Sequence, residues 1–284
     1  MMKFSANNRS MLFTPATSGP KFAAAHRSGA DIAVVDLEDA VAEAHKDAAR
    51  EASRRFFTGK GAERGQAEAL RINPLTTVYG LLDLLALRDF EPKPDLIVVP
   101  KVEEAREIEI VESVLSTVSY APDIAVIVET PKGLDHAARI ARSSPHMRAL
   151  VFGAADYSFA IGARRDWGSL YAARARVVNS AYRAGIDCID APVFDYHDTE
   201  TLASESALDR DMGFGGKVAV HPRQVPVINE RFSPDRATIE LARQIVAASE
   251  ASAGDATSVD GMMIGRPFVA AATALLRRYG SEVG

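Results

Sequence analysis

Ile124-Ala125-Val126-Ile127-Val128-Glu129-Thr130 is five aliphatic residues in a row, closed by a carboxylate. A half-exposed strand alternates apolar and polar side chains, whereas an unbroken apolar run reads as a strand buried on both faces. A charge where such a run stops must sit at the mouth of the sheet. The same pattern recurs on either side: Arg71-Ile72-Asn73 closes one run, and Phe152-Gly153-Ala154-Ala155-Asp156 closes another. Strand ends of this kind, brought together, would form an acidic pocket containing one guanidinium. That arrangement points to a metal-dependent enzyme acting on a small carboxylate.

Further outward, short apolar runs alternate with amphipathic or alanine-rich segments. The runs cover residues 11–13, 32–35, 69–72, 96–99, 124–128, 149–152, 188–189 and 217–220. Eight strand candidates separated by helical patterns are the signature of a parallel sheet. In a chain of 284 residues they favour an α/β fold closed as a (β/α)8 TIM barrel, whose C-terminal strand ends all open on one face. The barrel is expected over residues 1–232, with the best break at Phe232 to Asp235. Residues 233–284 are expected as a C-terminal helical extension: a helix over 236–250, a loose polar loop over 252–258 and a helical lid over 262–279. This extension would pack on the barrel or on a neighbouring subunit.

Composition narrows the class. Apolar residues make up 47% of the chain, enough for a sizeable core. The net charge of −5 comes without a basic run or basic-aromatic interleaving, so no nucleic-acid partner is expected. No stretch approaches the roughly 20 apolar residues of a membrane span, and the polar start, Met1 to Ser10, lacks the apolar core of a secretion signal. A soluble cytoplasmic protein without membrane contact is expected. The lone Cys188 excludes an intramolecular disulfide framework and reads as a small buried hydrophobe.

The charged strand ends supply the candidate chemistry. Glu129 and Asp156 suit Mg²⁺, which takes few protein oxygens and keeps several waters; equally, each carboxylate could cap the helix that follows. Arg71 either recognises a substrate carboxylate in fork geometry or pairs structurally with a neighbouring acid. Asp36 and Glu38, two apart, are expected on one face of a strand, with Asp39 opening the loop; this cluster would hold water around a metal or orient Arg71. Lys101 fits a Schiff-base nucleophile, although an acidic mouth would keep it protonated for charge pairing. His221 has no second histidine at ligand spacing and reads as a hydrogen-bonded residue of the core rim. Gly213-Phe214-Gly215-Gly216 precedes a strand rather than a helix, so it is no dinucleotide fingerprint.

In order along the chain, Arg9-Ser10-Met11-Leu12-Phe13-Thr14-Pro15, Asp36-Leu37-Glu38-Asp39, Arg71-Ile72-Asn73, Pro100-Lys101, Glu129-Thr130, Phe152-Gly153-Ala154-Ala155-Asp156, Ile189-Asp190-Ala191-Pro192 and Lys217-Val218-Ala219-Val220-His221-Pro222 resemble the citrate lyase β-subunit family of the HpcH/HpaI aldolase group. The resemblance spans the whole chain. It implies a TIM barrel, Mg²⁺ at Glu129 and Asp156, and a substrate oxygen or carboxylate at Arg71. It further implies cleavage or formation of a C–C bond between an acyl thioester, on coenzyme A or a carrier-protein arm, and an α-keto acid. Citryl, malyl and citramalyl thioesters are its familiar substrates. A homotrimer or hexamer, alone or with other lyase subunits, is implied as well.

Arg71, Glu38 and Asp39 form the expected catalytic set. Substrate would meet Arg71, Glu129, Pro15, Lys21, Ala155 and Asp190, with Lys21 and the Pro15 loop beside the pantetheine arm. Two departures stand out: Thr14-Pro15-Ala16 where Pro-Gly is usual, and Gly265 where many members carry an aspartate that handles the proton of the acyl carbon. The expected activity is Mg²⁺-dependent cleavage of a β-hydroxyacyl thioester. A class II pyruvate-type aldolase without a thioester and a catalytically weak thioester- or partner-binding paralogue are the alternatives.

Overall fold

Side-chain parity along eight strands builds the molecule. The computed structural model describes residues 8–58, 65–117, 120–252 and 257–279; the first residues of the polar start and the middle of the 252–258 loop lie outside them. The strands are β1 (Ser10–Pro15), β2 (Ile32–Asp36), β3 (Ala67–Arg71), β4 (Leu96–Val99), β5 (Asp123–Val128), β6 (Met147–Phe152), β7 (Asp187–Asp190) and β8 (Gly216–Ala219). Each pairs in parallel with its neighbours, and β1 also pairs with β8, closing the barrel. It is the (β/α)8 barrel expected from the eight runs.

Successive side chains on a strand point to opposite faces. Met11, Ile32, Ala67, Leu96, Ala125, Ala149, Ile189 and Val218 belong to one buried cluster to which every strand contributes, the barrel interior. The alternate residues, such as Leu12, Val35, Leu70, Val99, Val126 and Phe152, belong to a second cluster shared with the surrounding helices. Those helices are α1 (Phe22–His26), α2 (Lys46–Thr58), α3 (Val78–Leu87), α4 (Ala105–Leu115), α5 (Pro131–Ile140), α6 (Ala154–Ile161), α7 (Tyr171–Ala184), α8 (Thr199–Met212) and α9 (Val225–Phe232). Cys188 is buried and free, and burial pushes its thiol up. No helix among the described residues is long and apolar enough to cross a membrane.

The chain divides into two compact units, Met1–Phe232 and Ser233–Gly284. The second has its own small core of Ala242, Ile245, Val259, Ile264 and Ala272. It holds α10 (Arg236–Ala251), the antiparallel strands β9 (Thr257–Val259) and β10 (Met262–Ile264), and α11 (Arg266–Tyr279). The expected loop over 252–258 and helical lid over 262–279 are therefore corrected where they adjoin, because residues 257–259 and 262–264 form strands. The cause is local: Asp260 and Gly261 both have positive φ, at 50° and 79°. Asp-Gly is the dipeptide that a tight hairpin turn with two left-handed residues demands.

Candidate active site

The same parity decides which strand ends reach the mouth of the barrel. Pro15, Asp36 and Arg71 are in phase with the interior residues of β1, β2 and β3, and Glu129, Gly153 and Val220 continue that phase beyond β5, β6 and β8. All six line one cavity of about 350 Å³, together with Asp39, Ala155 and Asp156. The expected residues Pro15, Arg71, Asp39, Glu129, Ala155 and Asp156 thus line one cavity.

Arg71 is fixed by acids on β2 and its loop. Its Nε and Nη2 each donate to a different oxygen of Asp36 at 2.6 Å, and Nη1 lies 2.9 Å from Glu38 Oε2. The fork face of the guanidinium is therefore closed by Asp36. Burial alone would lower the pKa of Arg71, but Asp36 and then Glu38 and Asp39 raise it, so the charge is permanent. Glu38 does not share a strand with Asp36, as the i,i+2 spacing suggested. β2 stops at Asp36, whose Oδ1 accepts the Glu38 N–H at 2.8 Å and turns the chain. Behind that turn the buried Lys46 ammonium donates to the carbonyls of Leu37 and Glu38, both at 2.7 Å.

Lys101 completes the charged half. Its φ of 52° is left-handed, a conformation that costs a side-chain-bearing residue energy and marks a functional constraint. That turn lets its amide donate to Glu129 Oε1 at 2.9 Å while its ammonium contacts Glu38 and lies 3.4 Å from Asp39 Oδ1 and 3.5 Å from Asp156 Oδ2. Burial lowers its pKa, but the hydrogen bond to Glu38 and the surrounding carboxylates raise it further. A permanently protonated amine is a counter-ion, not a Schiff-base nucleophile.

Glu129 is buried, and its carboxyl is held well above the ordinary carboxylate range, first by burial and then by the charge of Glu38. Gly153 makes room for it: a Cβ there would come within 2.4 Å of Glu129 Cβ and 2.5 Å of its Oε2. Five carboxylates (Asp36, Glu38, Asp39, Glu129 and Asp156) thus surround the two cations that pair with them, Arg71 and Lys101. Surplus negative charge around a buried acid is what a divalent cation relieves. Among the described residues no group of three or more His, Cys, Asp or Glu is arranged to ligate a metal. Glu129 and Asp156, which line the same cavity, offer carboxylate oxygens only, a donor set compatible with Mg²⁺, which takes few protein oxygens and retains water.

Two expected substrate contacts lie elsewhere. Asp190 is fully buried, its carboxylate accepting from Arg174 Nε and Lys217 Nζ, both at 3.0 Å. It is one residue out of phase with the interior Ile189, so it points into the helix layer. Lys21 ends a short 3₁₀ turn, Gly19–Lys21, is exposed, and does not line the cavity. Its charge acts instead on His221, whose pKa is lowered first by burial and next by Arg223. His221 Nδ1 accepts the Arg223 N–H at 3.1 Å, and its ring stacks on Tyr196, a rim role as expected.

Gly153 and the apolar residues Phe13, Phe194 and Val220, none of them among the expected site residues, also line the cavity. Strand parity could have found Phe13 and Val220; Phe194 lies in a loop, where no periodicity applies.

Residues 9–222 match the family model described as HpcH/HpaI aldolase/citrate lyase. The chain is 30% identical to the L-malyl-CoA/beta-methylmalyl-CoA lyase of Rhodobacter capsulatus, over 95% of this chain and 94% of that protein. Among solved structures it resembles RipC from Yersinia pestis, with a TM-score of 0.72 at 38% identity, covering 82% of this chain and 99% of that one. It also resembles CitE from Mycobacterium tuberculosis in complex with magnesium, acetoacetate and coenzyme A, with a TM-score of 0.79 at 30% identity, covering 97% and 99%.

Proposed function

The chain belongs to the HpcH/HpaI aldolase/citrate lyase family, and from that premise we propose that it is a Mg²⁺-dependent carbon–carbon lyase. It cleaves a β-hydroxyacyl thioester into an acyl thioester and an α-keto acid. The observation that carries this reading is the buried Glu129, held among like charges beside Asp156 in a cavity that also presents Arg71. Lyase and coenzyme A names among the relatives support the thioester.

Glu129 and Asp156 would hold the metal. Bound Mg²⁺ supplies Lewis-acid polarisation of the keto-acid oxygens. Asp39, which is exposed at the cavity it lines and is held below the usual carboxylate range, against partial desolvation, by its hydrogen bond with Glu38 and the charges of Arg71 and Lys101, accepts the proton of the substrate hydroxyl. The bond between the carbinol carbon and the thioester α-carbon then breaks. Its electron pair passes to the thioester as an enolate, and the hydroxyl oxygen becomes the keto oxygen. The fixed charge of Arg71 stabilises that oxygen while it is negative; preorganised charge of this kind contributes several kcal/mol to lowering a barrier. The first-turn amides of α6 at Ala154 and Ala155, which line the cavity, receive the keto acid's carboxylate. Protonation of the enolate completes the acyl thioester.

The test is a cleavage screen over citryl-, malyl- and citramalyl-CoA with Mg²⁺, with chelator, and after Mg²⁺ is restored. Cleavage lost to chelator and recovered on restoration is expected; turnover indifferent to metal would overturn the reading. Gly153→Ala should weaken Mg²⁺ binding in calorimetry at least about tenfold with an unchanged circular dichroism spectrum, because the added methyl displaces the Glu129 carboxylate. The trimeric or hexameric assembly and the lid role of the second unit are proposed from the family resemblance; light scattering checks the first.

A further inference from the structure

Lys46 stands where local structure argues against it. It is the first residue of α2, at the end where the helix dipole disfavours a cation. It is also buried, which strips a charged group of its water. Burial lowers its pKa, and the charges of Glu38, Asp36, Asp83 and Asp39 oppose that shift. What the side chain touches explains the residue type. Its ammonium donates to two successive carbonyls, those of Leu37 and Glu38, both at 2.7 Å.

In a planar trans peptide the C=O and the N–H that follows it point in opposite directions. Drawing the Leu37 carbonyl back toward α2 therefore aims the Glu38 N–H the other way, where it meets Asp36 Oδ1 at 2.8 Å. Drawing back the Glu38 carbonyl aims the Asp39 N–H likewise, and it meets Glu38 Oε2 at 3.1 Å. Those two carboxylates in turn hold Arg71, and Glu38 also contacts Lys101. Resting on the lyase reading, we infer that Lys46 is a positioning residue for the bond-breaking step. By orienting the two peptides that precede Asp39, it sets Glu38 and Asp39 in register with Arg71. Lys46 does not line the cavity, so it acts only through these groups. Glu129 follows β5 and Asp156 lies on α6, so the two metal-holding carboxylates take their backbone from outside that turn.

Lys46→Met keeps close to the length of the side chain and removes its donors. In thioester cleavage at saturating Mg²⁺, kcat should fall about 10- to 100-fold, the effect of misplacing a catalytic group by roughly 1 Å. KM, and the Kd of Mg²⁺ from calorimetry, should stay within about twofold. Lys46→Arg, which restores a cation with donors, should recover part of the loss. An unchanged kcat in Lys46→Met overturns the inference. So does a loss of Mg²⁺ affinity as large as the loss of kcat, since that is collapse of the whole site. If Lys46→Met does not fold, Lys46→Gln, which keeps a shorter donor, is read by the same split. Hydrogen exchange without metal or substrate supplies a second readout: the amides of Glu38 and Asp39 should exchange faster in the variant, with those of residues 124–129 unchanged. A wild type that cleaves no thioester sinks the lyase reading and leaves exchange to decide whether Lys46 orders the turn; unaltered exchange at Glu38 and Asp39 overturns that as well.

Discussion

Arg71 shows how one residue can satisfy both roles open to it in the sequence. Its fork is spent on the buried Asp36, yet the guanidinium still lines the cavity. Arg71→Lys should therefore do more than remove catalytic charge geometry. Activity should fall at least tenfold, since an ammonium cannot reproduce the two parallel hydrogen bonds. Stability should also drop, by on the order of 1–3 kcal/mol, because Asp36 keeps its charge in a buried position with a poorer partner. Steady-state kinetics and urea unfolding on one preparation check both. Full stability with lost activity would show that the Asp36 contact contributes little to folding.

At the scale of elements, β7 and β8 are tied to the helix layer by charge as well as by packing. Lys217 donates to Asp190 at 3.0 Å and to Asp209 of α8 at 2.7 Å, and Trp167 Nε1 donates to Asp209 at 2.7 Å. Burial, and then the neighbouring Asp190, push Asp209 up to about 7, against the pull of Lys217 and Trp167. A carboxyl with a raised folded pKa binds its proton more readily folded than unfolded. Its contribution is complete below an ordinary carboxylate pKa of about 4 and is lost as pH rises through about 7. Asp209→Asn cannot titrate. The stability of the wild type relative to this variant should therefore decline from pH 5 to pH 8, by on the order of 1–3 kcal/mol. Chemical denaturation of both proteins at the two pH values measures it; a constant difference would show that Asp209 is ionised throughout, held by Lys217.

For the whole molecule, the second unit poses the question of the proton. Gly265 follows β10 and precedes α11, and an added Cβ there meets nothing nearer than Pro267 Cδ at 3.9 Å. Gly265→Asp should fold. Its carbonyl already accepts from the amides of Phe268 and Val269, so an aspartate there also suits a helix start. If this position serves proton transfer, exchange of the acyl-thioester α-protons with deuterium should rise by about 10²–10⁴-fold, the range of a positioned acid or base. No rise would indicate that another group, with Asp260 the first to test by Asp260→Asn, performs the step in the wild type.

The unbroken apolar runs and their spacing were enough to specify eight buried parallel strands, hence the barrel and the face on which its charged ends meet. The reason is that burial on both sides leaves no freedom of residue type along a strand. That Glu129, Asp156, Arg71 and Asp39 lie near strand ends was legible for a related reason, since charge is excluded from the middle of such runs, and the structure brings all four to one cavity. Three-dimensional packing decided what lies one step beyond the strand. Asp190 and Glu129 look alike as carboxylates at strand ends, but a phase shift of one residue sends Asp190 into the helix layer and Glu129 into the cavity. Lys101 reaches the acids through a left-handed backbone that its residue type does not announce, and Phe13 and Val220 come to line one cavity only where β1 pairs with β8 to close the barrel. Phase, backbone strain and closure are properties of neighbouring strands held in register, so they arise only once the chain has folded.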